Sequence, residues 1–113
     1  MHVDRIDVHC HYTGGVAQQL FGNAGYTLTG GATVGRWTLD GALAFMDRHG
    51  IAVQILSLPL VMPLPWHDPG FAVRFAREVN EDLAHIIKEH PDRFGAFATV
   101  PLNNPDEALT EIR

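Results

Sequence analysis

The sequence predicts an α/β fold with a parallel sheet, built in the order β-loop-α-β-loop-α-β-α. Two observations carry most of this. Three stretches, 6–10, 51–58 and 94–100, read as strands, and the last two are almost unbroken apolar runs. That pattern suits strands buried on both faces of a parallel sheet. Between and after them lie amphipathic segments with their own start and stop residues, which is what βαβ units with right-handed crossovers require.

The first strand is expected at 6–10, where apolar and polar side chains alternate through Ile6, Asp7, Val8 and His9. Residues 12–36 contain seven of the eleven glycines and show no convincing period, so they read as a long loop with at most a turn of helix near 16–20. Thr38 then has the chemistry of an N-cap. Leu39, Ala42, Leu43 and Met46 come next at helical spacing, and His49-Gly50 supplies a stop. The run from Ile51 to Leu58 is the second strand. Pro59, Pro63 and Pro65 then break the chain into a loop.

Asp68-Pro69 is a second helix start, a capping carboxylate followed by proline in the first turn. Phe71, Phe75, Val79, Leu83, Ile86 and Ile87 share one face of a helix reaching Glu89, and Arg74, Arg77, Glu78, Glu81 and Lys88 populate the other. Pro91 ends it. The third strand is expected over 94–100. Asn104-Pro105 opens a third helix, with Glu107 placed to complete a capping box.

Composition narrows the chemistry. The chain has 113 residues and a net charge of −5, with no cluster of Lys and Arg, which argues against nucleic acid or an anionic membrane as partner. No stretch approaches the roughly 18 apolar residues of a membrane span. The N-terminus lacks the layout of a signal peptide, and a single cysteine permits no internal disulfide, so a cytoplasmic location is expected. Ser57 and Lys88 are the only residues of their types, and neither has the neighbours of a nucleophile. Histidine, with seven copies, is the residue type to examine.

His9 and His11 are the sharpest feature. Side chains two apart on a strand point the same way, with Cα atoms about 6.5–7 Å apart. Two imidazoles so placed can converge on one cation, and imidazole suits Zn, Fe, Ni or Cu better than Mg or Ca. They fall at the carboxyl end of the first strand, where parallel α/β folds carry their active sites. The alternative is a pair of ordinary polar residues leaving a strand. Alternation gives Asp7 the same face, as a further ligand, as a group that orients the histidines, or as a satisfied strand-end carboxylate. Cys10 faces the other way and reads as an inert buried thiol. Trp66 and His67, in the loop after the second strand, belong to the same rim and are candidates for substrate contact. Arg36, at the end of the glycine-rich loop, has the fork to hold a substrate carboxylate, or is a surface arginine. His49, His85 and His90 are expected on the outside.

Arg5-Ile6-Asp7-Val8-His9-Cys10-His11 resembles the opening His-x-His strand of the amidohydrolase superfamily. Met46-Asp47, Gly50-Ile51, Val79-Asn80, His90-Pro91-Asp92-Arg93-Phe94 and Thr99-Val100-Pro101-Leu102 are similar to the branch that contains aminocarboxymuconate semialdehyde decarboxylase. The resemblance implies a metal-dependent hydrolase-type (β/α)₈ TIM barrel, with residues 1–113 as its N-terminal part: three strands of eight, truncated. It implies a divalent metal, zinc above others, with His9 and His11 as first-strand ligands and the remaining ligands on later strands. It also implies an arginine for a substrate carboxylate, for which Arg36 is the candidate. The activity implied is that of a decarboxylase (a carbon–carbon lyase) or a hydrolase acting on a small carboxylate-bearing, aromatic-derived molecule, in a protein that can form homo-oligomers. The isolated 113 residues are expected to be inactive. The competing expectation is a non-catalytic α/β module that self-associates through open sheet edges.

Overall fold

A computed structural model describes residues 4–23, 37–59 and 67–113. Its elements in chain order are β1 (Arg5–His11), α1 (Gly15–Asn23), α2 (Leu39–His49), β2 (Ile51–Ser57), α3 (Pro69–Glu89), β3 (Phe94–Ala96) and α4 (Pro105–Ile112). The strands form one parallel sheet in the order β1-β2-β3. The expected βαβαβα arrangement is therefore present.

The helix ends follow from side-chain chemistry. The Thr38 hydroxyl accepts from the Gly41 amide at 3.1 Å, which satisfies one of the first-turn donors of α2. Gly50 closes α2 in the left-handed region at φ 66°, with its N–H on the Met46 carbonyl. Asp68 caps α3 through the Phe71 amide at 3.2 Å, with Pro69 in the first turn. Asn104 caps α4 through the Glu107 amide at 3.3 Å. Glu107 does not return the bond of a capping box. The Asn104 amide donates to the Pro101 carbonyl instead, and the Glu107 carboxylate lies 3.7 Å from Arg77.

The core is the layer between the sheet and the helices. Met46 of α2, Leu56 of β2, Phe94 of β3 and Phe75, Val79, Leu83 and Ile86 of α3 are buried together. Burying side chains of this size contributes about 1.5–3 kcal/mol each. Among the described residues nothing covers the other face of the sheet. Ile6 and Val8 on β1 are 62% and 64% exposed, and Phe97 beyond β3 is 58% exposed.

Two elements and one side chain differ from expectation. The 12–36 stretch holds a nine-residue helix, α1, whose Ala17 and Phe21 are buried; its two buried positions are too few to give a readable period. β3 stops at Ala96 rather than at 100. The Phe97 amide still reaches the Leu56 carbonyl, but the Thr99 amide turns to the Asn80 side chain at 2.8 Å, so the ladder ends. Finally, His90 is half-buried with its ring edge-on to Phe94, whereas His49 and His85 are exposed as expected.

Candidate metal centre at the end of the first strand

The register of β1 against β2 sets where the site residues point. Asp7 pairs with Gln54, Cys10 with Leu56 and His11 with Ser57. Three steps along β1 therefore match two along β2. Val8 and His9 together oppose Ile55, which makes a β-bulge. Regular alternation would place Asp7 with the histidines. The bulge instead places it with Cys10, because their partners Gln54 and Leu56 share one buried face. A cleft of about 370 Å³ is lined by Asp7, Cys10 and Gln54 together with His11, Trp37 and Phe45, so one of the two histidines borders it as well.

The Asp7 carboxylate accepts from the His9 amide at 3.1 Å, so it holds the backbone of the bulge. The Cys10 thiol, first, and the His9 amide, second, keep the Asp7 carboxyl below its usual range. Cys10 is half-buried, and its thiol donates to the Asp7 carbonyl at 3.4 Å. Burial and the adjoining carboxylate push its pKa up to about 12, so the thiolate is suppressed at neutral pH.

His9 and His11 do share a face. Their Nε2 atoms are 3.2 Å apart, and the rings stand edge to face with centroids 5.0 Å apart. Two nitrogens bound to one zinc ion at 2.0–2.1 Å and a tetrahedral angle lie about 3.3 Å apart. The separation of the two donor atoms therefore matches that of two ligands of one ion. Among the described residues both rings are exposed. Among the described residues no group of three or more His, Cys, Asp or Glu is placed to hold a metal ion.

The residue after His11 is the best anchored in the vicinity. Tyr12 is fully buried. Its N–H donates to the Ser57 carbonyl at 2.7 Å, and its hydroxyl donates to the Asp82 carboxylate on α3. Burial first, and Asp82 second, push the phenol pKa well above the ordinary tyrosine value. The ring lies 5.3 Å from Trp37, which in turn meets Phe94 at 6.4 Å. Ser57 Oγ adds a long 3.5 Å contact to the Cys10 carbonyl.

Of the other candidates, His67 is exposed and directly precedes the α3 cap Asp68. Arg36 and Trp66 lie outside the described residues. Tyr12, Trp37 and Asp82 were not evident from sequence. The one available signal was that a tyrosine leaving a strand into a core needs a partner for its hydroxyl; the partner is 70 residues away and invisible to local patterning.

The sequence pattern of the amidohydrolase family matches residues 6–113. The chain belongs to the amidohydrolase family. It is 37% identical over 109 residues to decarboxylase yanB of Aspergillus niger, a match covering 92% of this chain and 28% of that protein. It is 45% identical over 76 residues to gamma-resorcylate decarboxylase of a Rhizobium species, covering 66% of this chain and 23% of the relative. The expected branch is represented too: 2-amino-3-carboxymuconate-6-semialdehyde decarboxylase of Dictyostelium discoideum is 27% identical over 77 residues, 68% of this chain and 21% of its own. Among solved structures, a dihydroxybenzoic acid decarboxylase from a Polaromonas species, with bound manganese and the inhibitor 2-nitroresorcinol, superposes with a TM-score of 0.70 at 27% identity. That match covers 99% of this chain and 34% of the other. The chain thus spans between a fifth and about a third of the length of these relatives. The fold is that of three strands of the amidohydrolase TIM barrel.

Proposed function

We propose that His9 and His11 are two ligands of a divalent metal in a decarboxylase acting on a small carboxylate-bearing aromatic molecule, and that residues 1–113 are the N-terminal part of its barrel domain. The observation that carries this is the 3.2 Å separation of the two Nε2 atoms at the carboxyl end of β1. The relatives named as decarboxylases favour carbon–carbon cleavage over hydrolysis. Zinc matches the imidazole donors, and manganese is the ion in the similar structure, so these are the two ions to test. Bound there, the ion would supply Lewis-acid polarisation of a substrate oxygen.

The chain's own residues have separate tasks in this reading. As ligands, His9 and His11 would present their Nε2 lone pairs to one ion, which would put the proton of each neutral ring on Nδ1. Asp7 acts on His9 through its amide. Arg36 would pair with the substrate carboxylate, and Trp66 and His67 would line the substrate side of the rim. The burial of Cys10 keeps a competing thiolate away from the ion. Two donors fall short of the three that a catalytic zinc ordinarily takes, so the 113 residues alone would lack activity. No helix among the described residues is long and apolar enough to cross a membrane. A cytoplasmic location and a homo-oligomeric state complete the proposal.

The test uses the protein expressed in its full reading frame. Metal content is measured by mass spectrometry, and CO₂ release is followed with 2,6-dihydroxybenzoate and related benzoates. The His9→Ala, His11→Ala double variant is expected to lose the ion and the activity; full metal occupancy in that variant would overturn the ligand assignment.

One observation favours a second reading for the isolated 113 residues. Among the described residues β1 and β3 are both unpaired on their outer sides, and Ile6 and Val8 are exposed. Such edges favour self-association. Size-exclusion chromatography separates the outcomes, since a monomer with cooperative unfolding would count against it.

A further inference from the structure

We propose that Tyr12 and Asp82 are a positioning pair: through their hydrogen bond, α3 fixes the end of β1 and with it the separation of the His9 and His11 donor atoms. The inference rests on the reading of His9 and His11 as metal ligands.

Four contacts converge on the residue that comes after His11. The Tyr12 amide is on the Ser57 carbonyl at 2.7 Å, its hydroxyl is on Asp82, its ring is against Trp37 at 5.3 Å, and Gly14 lies over the ring. The Gly14 approach is so close that a Cβ there would overlap the Tyr12 ring, so the ring has no room to swing toward it. The phenol is fully buried while both imidazoles are exposed. Among the described residues, the polar and ring contacts of the two imidazoles are with each other. Their mutual geometry is inherited from the backbone on either side: the bulge held by Asp7 at one end and Tyr12 at the other. Of these two holds, Asp7 is local to the strand. Only Tyr12 ties the pair to an element in another layer, 70 residues along the chain. Donor atoms meant for one ion tolerate only a few tenths of an ångström of displacement. Partners that orient ligands ordinarily change metal affinity about 10–100-fold when removed.

The chemistry of the pair gives separable variants. Tyr12→Phe keeps the ring and its packing but removes the donor. Asp82→Asn keeps an acceptor oxygen for the hydroxyl, whereas Asp82→Ala removes it. Leu83→Ala truncates a buried neighbour on the same helix and leaves the hydroxyl of Tyr12 and the carboxylate of Asp82 in place.

The experiment is Zn²⁺ titration by chelator competition, with the visible absorption of the Co²⁺-substituted protein as a second readout. Both are done on the protein in its full reading frame, alongside urea unfolding of each variant. Tyr12→Phe and Asp82→Ala are expected to weaken Zn²⁺ binding about tenfold and to change the Co²⁺ bands. The double variant should be no worse than either single one, and Asp82→Asn should restore binding to within about twofold of the parent. Leu83→Ala should lower stability and leave affinity within about twofold. The proposal is overturned if Tyr12→Phe binds like the parent, or if affinity falls as far in Leu83→Ala, which would make the contact a core anchor and nothing more. A His9→Ala, His11→Ala control tells the two levels apart. Retention of Zn²⁺ there removes the ligand reading itself, whereas its loss there together with unchanged binding in Tyr12→Phe removes only the positioning role.

Discussion

Asn80 on α3 is the clearest place to test how the fold beyond β3 is held. Its Nδ2 donates to the Thr99 carbonyl at 2.7 Å and to Glu111 Oε1 at 3.0 Å, and its Oδ1 accepts from the Thr99 amide at 2.8 Å. One side chain thus joins α3, the segment after β3, and α4. Asn80→Ala removes three hydrogen bonds, each worth about 0.5–1.5 kcal/mol net, at a half-exposed site where water restores part; a loss of about 2 kcal/mol is expected. Asn80→Asp changes less volume and should cost more. It keeps the bond from the Thr99 amide but sets an oxygen against the Thr99 carbonyl and the Glu111 carboxylate. Two charges 3.0 Å apart repel by about 5 kcal/mol at an effective dielectric of 20. The new carboxyl escapes that repulsion by staying protonated, which costs about 1.4 kcal/mol per pH unit above its unfolded pKa of about 3.9, or about 4 kcal/mol at pH 7. Its folded pKa is raised, so the penalty is absent below pH 4 and grows as pH rises. Urea unfolding followed by far-UV circular dichroism should therefore rank Asn80→Asp below Asn80→Ala at pH 7, by about 1–2 kcal/mol, and reverse or erase that order at pH 4. An Asn80→Asp variant no worse than Asn80→Ala at pH 7, or a gap that does not close on acidification, would refute the reasoning.

Other outcomes rest on single contacts. Gly14→Ala forces a methyl into the Tyr12 ring and should destabilise by about 1–3 kcal/mol in thermal unfolding, while Gly15→Ala, with nothing within 4 Å, should stay within about 0.5 kcal/mol. Gly50→Ala places a Cβ in the left-handed region that ends α2 and should cost about 1–2 kcal/mol in the same measurement. Arg93 donates to the Ile51 and Ala52 carbonyls at 3.3 and 3.1 Å and to Asp47 at 2.9 Å. Arg93→Lys cannot keep that fork and should lose about 1–2 kcal/mol in urea, whereas Asp47→Ala, at a carboxylate 68% exposed, should lose under about 1 kcal/mol.

Much of the fold could be read from residue types at fixed spacings. The caps Thr38, Asp68 and Asn104 and the stop at Gly50 do in three dimensions what their chemistry suggests, because a helix end is satisfied within three or four residues. The face of α3 is equally local. Long-range features were not legible. The end of β3 is decided by the side-chain amide of Asn80, 19 residues upstream, and not by the apolar run that continues to 100. The stretches that resemble the family, around Asn80 and Arg93, carry these ties, so the resemblance located them without saying what they do. At the site, the shared face of His9 and His11 followed from strand geometry. The face of Asp7 did not, because a bulge is a property of the pairing between two strands, and single-strand alternation cannot register an extra residue.

That bulge and the Tyr12 anchor also fix when the histidine pair can form during synthesis. The hydrogen-bonding groups that hold it (Asp7, Ser57 and Asp82) precede β3 in the chain. A polypeptide emerging N-terminus first has all of them available once α3 is made, before the third strand exists. The spacing of the two nitrogens thus depends on residues that all come before β3, and that strand is added to a donor pair already set.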